Sequence, residues 1–213
     1  MQPSTRVLVI ACGALAREIT ALKRASGWAA LDVSCLPPEL HNRPERIPAA
    51  VRAAIIEARA RYQQIFVAYA DCGTGGALDR VLAEEGVERL PGAHCYEFFA
   101  TSGVFAALAE AEPGTFYLTD FLVRHFQRLV LVGLGIERHP QLAHEYFRNY
   151  RRVIYLAQTA DAQLERDARA IAARLGLSYE QRATGYGDLA SSLTRLVRGT
   201  GIGVVVEQSP GRP

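Results

Sequence analysis

Short β-favouring runs recur along the chain, at 7–11, 31–36, 65–70, 115–120, 153–157, 177–182 and 202–207. Most are followed by a stretch whose apolar positions return at helical spacing. Leu15, Ile19 and Leu22 share one helix face, and Ile47, Val51, Ile55, Ala58 and Tyr62 form a stripe across residues 45–62. Further helices are predicted over 77–85, 98–108, 141–150, 161–175 and 188–198, with Gly86 as a C-terminal stop for the first of these. The segment 121–136 is apolar enough for either a helix or a strand. Alternation of strand and helix predicts an α/β fold, a mostly parallel, Rossmann-like sheet with helices on both faces. Pro113 and Gly114 divide the chain into residues 1–112 and 113–213, which form either one continuous domain or two lobes with a cleft between them.

The strand ends stand out next. Ile65-Phe66-Val67-Ala68-Tyr69-Ala70 stops at Asp71-Cys72 and the flexible run Gly73-Thr74-Gly75-Gly76, the pattern of a buried parallel strand reaching the rim of its sheet. Cys12 follows Val7–Ile10, Cys35 closes the second run, and Cys95 lies in the loop after the short segment 88–90. In open α/β sheets this rim is where ligands bind. Cys12 also precedes a helix, where the dipole favours a thiolate. Gly73, Gly75 and Gly76 can offer backbone amides to a phosphate or carboxylate, although the Lys-Ser/Thr of a P-loop is missing.

Polar loops supply the remaining candidates. Pro37-Pro38-Glu39-Leu40-His41-Asn42-Arg43-Pro44 is expected to be irregular and stiff, presenting His41 and Arg43 as a site wall. His94 precedes Cys95, and the two can enter one site only if their segment is a loop.

Composition narrows the function. Among 213 residues, 49% are hydrophobic and 22% charged, with a net charge of +2, so neither nucleic acid nor an anionic membrane is expected as a partner. No apolar run is long enough to cross a bilayer, and a cytoplasmic location is expected. There thiols stay reduced, which leaves metal ligation, catalysis or packing as uses for four cysteines.

Four segments, Val-Ile-Ala-Cys-Gly-Ala-Leu, Leu-Pro-Pro-Glu-Leu-His-Asn-Arg-Pro, Tyr-Ala-Asp-Cys-Gly-Thr-Gly-Gly and Gly-Ala-His-Cys-Tyr-Glu, occur in that order. In them the chain resembles the prokaryotic family known as domain of unknown function 1638. The resemblance singles out Cys12, His41, Cys72 and Cys95 and leaves Cys35 as a structural thiol. It also implies a corrinoid protein of a methyl transfer system as a partner.

Three thiolates from separate loops suit a soft metal centre. A [4Fe-4S] cluster or zinc held by Cys12, Cys72 and Cys95 is therefore expected, with His41, His94 or Arg43 positioning a small-molecule substrate or moving protons. Two other readings stay open. One makes Cys72 a covalent nucleophile, and the other makes the chain a non-enzymatic accessory of the corrinoid system.

Overall fold

The computed structural model describes residues 6–199. Two parallel sheets account for all the strands in this range. The first has the order β2-β1-β3-β4, with β1 at Val7–Cys12, β2 at Leu31–Leu36, β3 at Gln64–Ala68 and β4 at Glu88–Arg89. The second has the order β5-β6-β7, from Thr115–Thr119, Arg152–Ala157 and Ser178–Ala183. The fold is α/β and Rossmann-like, divided between two sheets. The predicted strand over 202–207 lies outside the described residues.

β1 is buried at every position because parallel neighbours flank it, Leu31 to Leu36 on one side and Gln64 to Ala68 on the other. Helices α1 (Ala16–Ala25), α2 (Ile47–Ala58) and α3 (Ala77–Glu85) follow the first three strands. Ile47, Val51, Ile55 and Ala58 of α2 enter the core. α3 has the predicted limits and ends at Gly86, whose φ of 63° gives the left-handed stop that glycine provides cheaply.

Two local expectations need correction, and one left open is decided. Two 3-10 turns, Pro38–Asn42 and Pro44–Arg46, occupy the segment expected to be irregular, since proline's fixed φ suits the first position of such a turn. The pattern over 98–108 is broken into α4 (Glu97–Ala100) and α5 (Ser102–Ala111), because Thr101 adopts φ 66°. The undecided stretch after β5 is helical: α6 spans Asp120–Phe126 and runs into a π-helical turn at Gln127–Val132.

α7 (Leu142–Phe147), α8 (Ala162–Leu175) and α9 (Gly187–Gly199) complete the described chain. The helices do not respect the division near Pro113. Leu189, Leu193 and Val197 of α9 pack into the core of the first sheet, although α9 follows the second. Phe105 and Leu108 of α5 pack conversely against Tyr117, Ile154 and Leu156 of the second sheet. α9 begins so close to α4 that a Cβ on Gly187 would lie 2.4 Å from the carbonyl oxygens of Phe98 and Phe99. This exchange of helices ties the two sheets together and leaves the carboxyl ends of the first near the second.

Candidate metal centre

Cys12 ends β1 and caps the 3-10 turn Gly13–Leu15, its sulfur accepting the Ala14 amide at 3.4 Å. The next residue must be small: a Cβ on Gly13 would lie 2.9 Å from Pro38 Cδ and 3.0 Å from the Leu36 carbonyl oxygen. That approach sets the proline-rich loop against the end of β1. The loop is fastened from its other side too, where Glu39 pairs with Arg128 and the Asn42 amide donates to the Leu129 carbonyl at 3.2 Å. Between these attachments His41 is held with Nδ1 3.6 Å from Cys12 Sγ.

Cys72 sits past β3 in a left-handed conformation, φ 50°, which a non-glycine residue adopts at a cost of roughly 1 kcal/mol or more. Two backbone bonds hold this turn against the loop that carries Cys95: the Asp71 amide donates to Gly92 O at 3.1 Å and the Cys72 amide to Ala93 O at 2.9 Å. The two sulfurs consequently lie 3.1 Å apart, both buried. The ligand atoms of His41, Cys72 and Cys95 all fall within 4.8 Å of one another. This group can hold a metal ion. Its donors, two thiols and an imidazole nitrogen, suit a soft or borderline cation.

The charges are arranged accordingly. A hydrogen bond from Cys95 lowers the Cys72 pKa, burial opposes this, and His41 lowers it further, to about 5. Cys95 moves the other way, well above an ordinary thiol, because it is the donor to Cys72 and is buried. Burial pulls His41 down, but its hydrogen bonds to Cys12 and Cys72 raise it from 6.5 to about 10. Without an ion, the cluster is a thiolate facing an imidazolium. Tyr69 is fully buried beside it, its ring stacked 6.4 Å from that of His41. The Tyr69 hydroxyl is directed toward Cys12 without a hydrogen bond of normal geometry, and burial raises its pKa.

The other sequence candidates lie elsewhere. His94 stacks on Tyr96 at 5.0 Å and is not part of the cluster. Arg43 is exposed and makes no ion pair among the described residues. The amides of Gly75 and Gly76 donate to the Asp71 carboxylate at 3.1 and 2.8 Å, so Asp71 occupies the cradle expected for an anion. Gly73 stands 3.6 Å from Pro44 by its virtual Cβ, at the foot of the same loop. Cys35 is exposed on β2.

An apolar cavity of about 430 Å³ opens onto this cluster, with His41 and Cys95 in its wall. Most of the wall comes from residues after Pro113, among them Phe116, Phe121, Leu122, Val130 and Phe147. The sequence allowed for a cleft between two halves but not for its lining, because periodicity could not assign the apolar segment 121–136 to an element.

The sequence model of one family matches residues 35–193, three quarters of the chain and a range that includes His41, Cys72 and Cys95 but not Cys12. The chain belongs to the family described as protein of unknown function DUF1638. No curated protein matches it. This DUF1638 member thus combines a thiol and imidazole cluster at the rim of one sheet with a cavity roofed by the other. Among its described residues no helix is long and apolar enough to cross a membrane.

Proposed function

We propose that the protein is an enzyme with a single zinc ion held by His41, Cys72 and Cys95, acting on a small molecule that enters the apolar cavity. The observation that carries this reading is the convergence of the three donors within 4.8 Å at the mouth of that cavity. Zn–S bonds of about 2.3 Å and Zn–N bonds of about 2.0–2.1 Å imply tetrahedral edges of about 3.8 Å between sulfurs and about 3.5 Å between sulfur and nitrogen. The Cys72 to Cys95 separation of 3.1 Å reaches the first edge with a shift of under ~1 Å. A [4Fe-4S] cluster fits less well, since its cysteine sulfurs must stand roughly 6 Å apart to leave room for the iron-sulfide core.

Three protein ligands would leave a fourth position for substrate, and His41 and Cys95 both line the cavity. Zinc bound there would supply Lewis-acid polarisation of a substrate oxygen or sulfur. Cys12 orients His41 from behind through the 3.6 Å contact, the role that partners of metal-bound histidines commonly take. Cys72 and Cys95 are buried, while His41 on the 37–44 loop is exposed and leaves the cluster open to solvent on that side. As ligands, Cys95 would bind as the thiolate and His41 as the neutral imidazole, so neither is left to carry a proton to the substrate.

Metal and sulfide analysis after anaerobic purification tests the proposal. About one zinc per chain, retained by Cys12→Ala and lost by Cys72→Ala, is the expected result. Iron with matching sulfide, or a protein free of metal, overturns it.

The lowered pKa of Cys72 favours a second reading, in which Cys72 is a nucleophile activated by His41. In that case the protein as isolated carries no metal, and Cys72 alone is rapidly alkylated.

A further inference from the structure

The chemistry of the cavity narrows the substrate. Among the described residues none of the side chains lining it is Asp, Glu, Lys or Arg. Its far wall is an aromatic cluster in which Phe116 meets Phe147 at 5.3 Å and 89° and Tyr150 at 5.4 Å and 76°, edge-to-face arrangements that keep the rings fixed. An ionised ligand group placed there would lose hydration with no opposite charge to replace it, whereas a hydrocarbon ring would gain apolar contact.

The near end is different. Asn42 spends its amide N–H on Leu129 O, and its side-chain oxygen has no donor among the described residues. That oxygen, His41 and Cys95 form a polar end, and the remaining lining is mainly apolar, with uncharged hydroxyls from Thr119, Tyr96, Tyr146 and Tyr150. A ligand that satisfies both ends has one donor group, acceptable to a soft cation, attached to a ring.

We propose that the substrate of this site is an uncharged aromatic alcohol or thiol, bound with its hydroxyl or sulfhydryl toward His41, Asn42 and Cys95 and its ring among Phe116, Phe147 and Tyr150. This rests on the zinc reading above for the fate of the polar group. Phosphorylated compounds, nucleotides and sugars are excluded from the cavity by the same argument.

The test uses the purified full chain and N-phenyl-1-naphthylamine, an uncharged fluorophore whose emission rises in apolar surroundings. One probe is expected to bind per chain. 4-Methylbenzyl alcohol is expected to displace it at least tenfold more effectively than 4-(hydroxymethyl)benzoate or 4-(aminomethyl)benzyl alcohol, which keep the polar head and add a charge at the far end. Leu134→Glu places a carboxylate in the wall and should weaken probe binding more than tenfold. Because that position is half-buried, Tyr146→Glu, on a side chain 46% exposed, is the companion variant that keeps the fold and should act in the same direction.

Equal displacement by the three competitors, or unchanged binding in both variants, overturns the assignment of substrate class. Zinc is measured on the same samples. A zinc-free protein that still discriminates overturns the metal reading alone and supports the apolar preference.

Discussion

The carboxyl-end rims of the two parallel sheets carry polar groups of opposite character. At the second sheet the Asp120 carboxylate, only 1% exposed, accepts Tyr155 Oη at 2.7 Å, the Gln158 amide at 3.0 Å and Thr159 Oγ1 at 2.5 Å. The Asp120 amide in turn donates to Gln158 Oε1 at 2.7 Å. The Asp120 carboxylate already has its donors, so this network closes the end of the sheet and fixes α6, although the neighbouring buried Glu18 keeps one carboxylate oxygen without a partner. At the first sheet the groups have mainly one another: two sulfurs 3.1 Å apart, an imidazole beside a third, and a tyrosine hydroxyl without a partner. A saturated rim is a structural joint, while a rim of converging donors with spare valence is a site.

The cavities next to the two rims differ in the same way. The one at the cysteines is apolar, and the other, about 470 Å³, is lined by Glu18, Asp120, Arg17, Arg24 and Arg124. Burial raises the Glu18 pKa, and Asp120 adds to the effect.

Substitutions should separate the rims by the property they damage. The largest stability loss is expected from Asp120→Ala, which strands two buried donors, Tyr155 Oη and the Gln158 amide, and should cost about 3 kcal/mol in urea unfolding. Adding Tyr155→Phe should recover about 1 kcal/mol, because the orphaned hydroxyl goes with it. A loss below ~1 kcal/mol would show that the network is not a joint. Cys72→Ala should lower zinc affinity more than ~100-fold, read by competition with a chromogenic chelator. Cys12→Ala, acting only through His41, should lower zinc affinity by about 10- to 100-fold.

The metal-free cluster also predicts a pH window. Cys72 has a depressed pKa, so its stabilisation is present above the ordinary thiol value of 9.0 and is lost as the pH falls through about 5. His41 has a raised pKa, so its stabilisation is present below 6.5 and is lost as the pH rises through about 10. The thiolate and imidazolium coexist between about 5 and about 10, and the alkylation rate of Cys72 should titrate near the lower limit. His41→Ala removes a group that lowers the thiol's pKa, so the alkylation midpoint should move to higher pH. A midpoint that stays in place would detach His41 from the cluster. The smallest effect is expected from Cys35→Ser, on an exposed edge of β2, with a stability change within about 0.5 kcal/mol and no change in bound zinc.

How much of this was readable beforehand follows from the range of the interactions involved. α3 was predicted to the residue because its signals are local: an apolar face, a glycine run before it and Gly86 after it. The break at Thr101 and the π-helical turn at Gln127–Val132 escaped, since neither a positive φ at threonine nor an extra residue per turn has a dependable sequence mark. Gly75 and Gly76 looked like an anion cradle, and local pattern could not reveal that Asp71 fills it. The buried network at Asp120 was not read from the sequence, because its partners lie 35 to 39 residues away, at Tyr155, Gln158 and Thr159.

By itself the order of residues determined the alternation of strand and helix, and with it the parallel pairing that carries each strand-end residue to a rim. Those are consequences of backbone periodicity and burial, which act over a few residues at a time. Only the tertiary structure decided that there are two sheets, that α9 returns to the first, and that the sulfur of Cys72 faces Cys95 and His41 rather than His94. Separations of 3 to 5 Å between residues far apart in the chain depend on close contacts such as Gly13 against Pro38 and on the backbone bonds from Asp71 and Cys72 to the 92–93 loop. No local pattern encodes these, because each needs both partners in place before it exists.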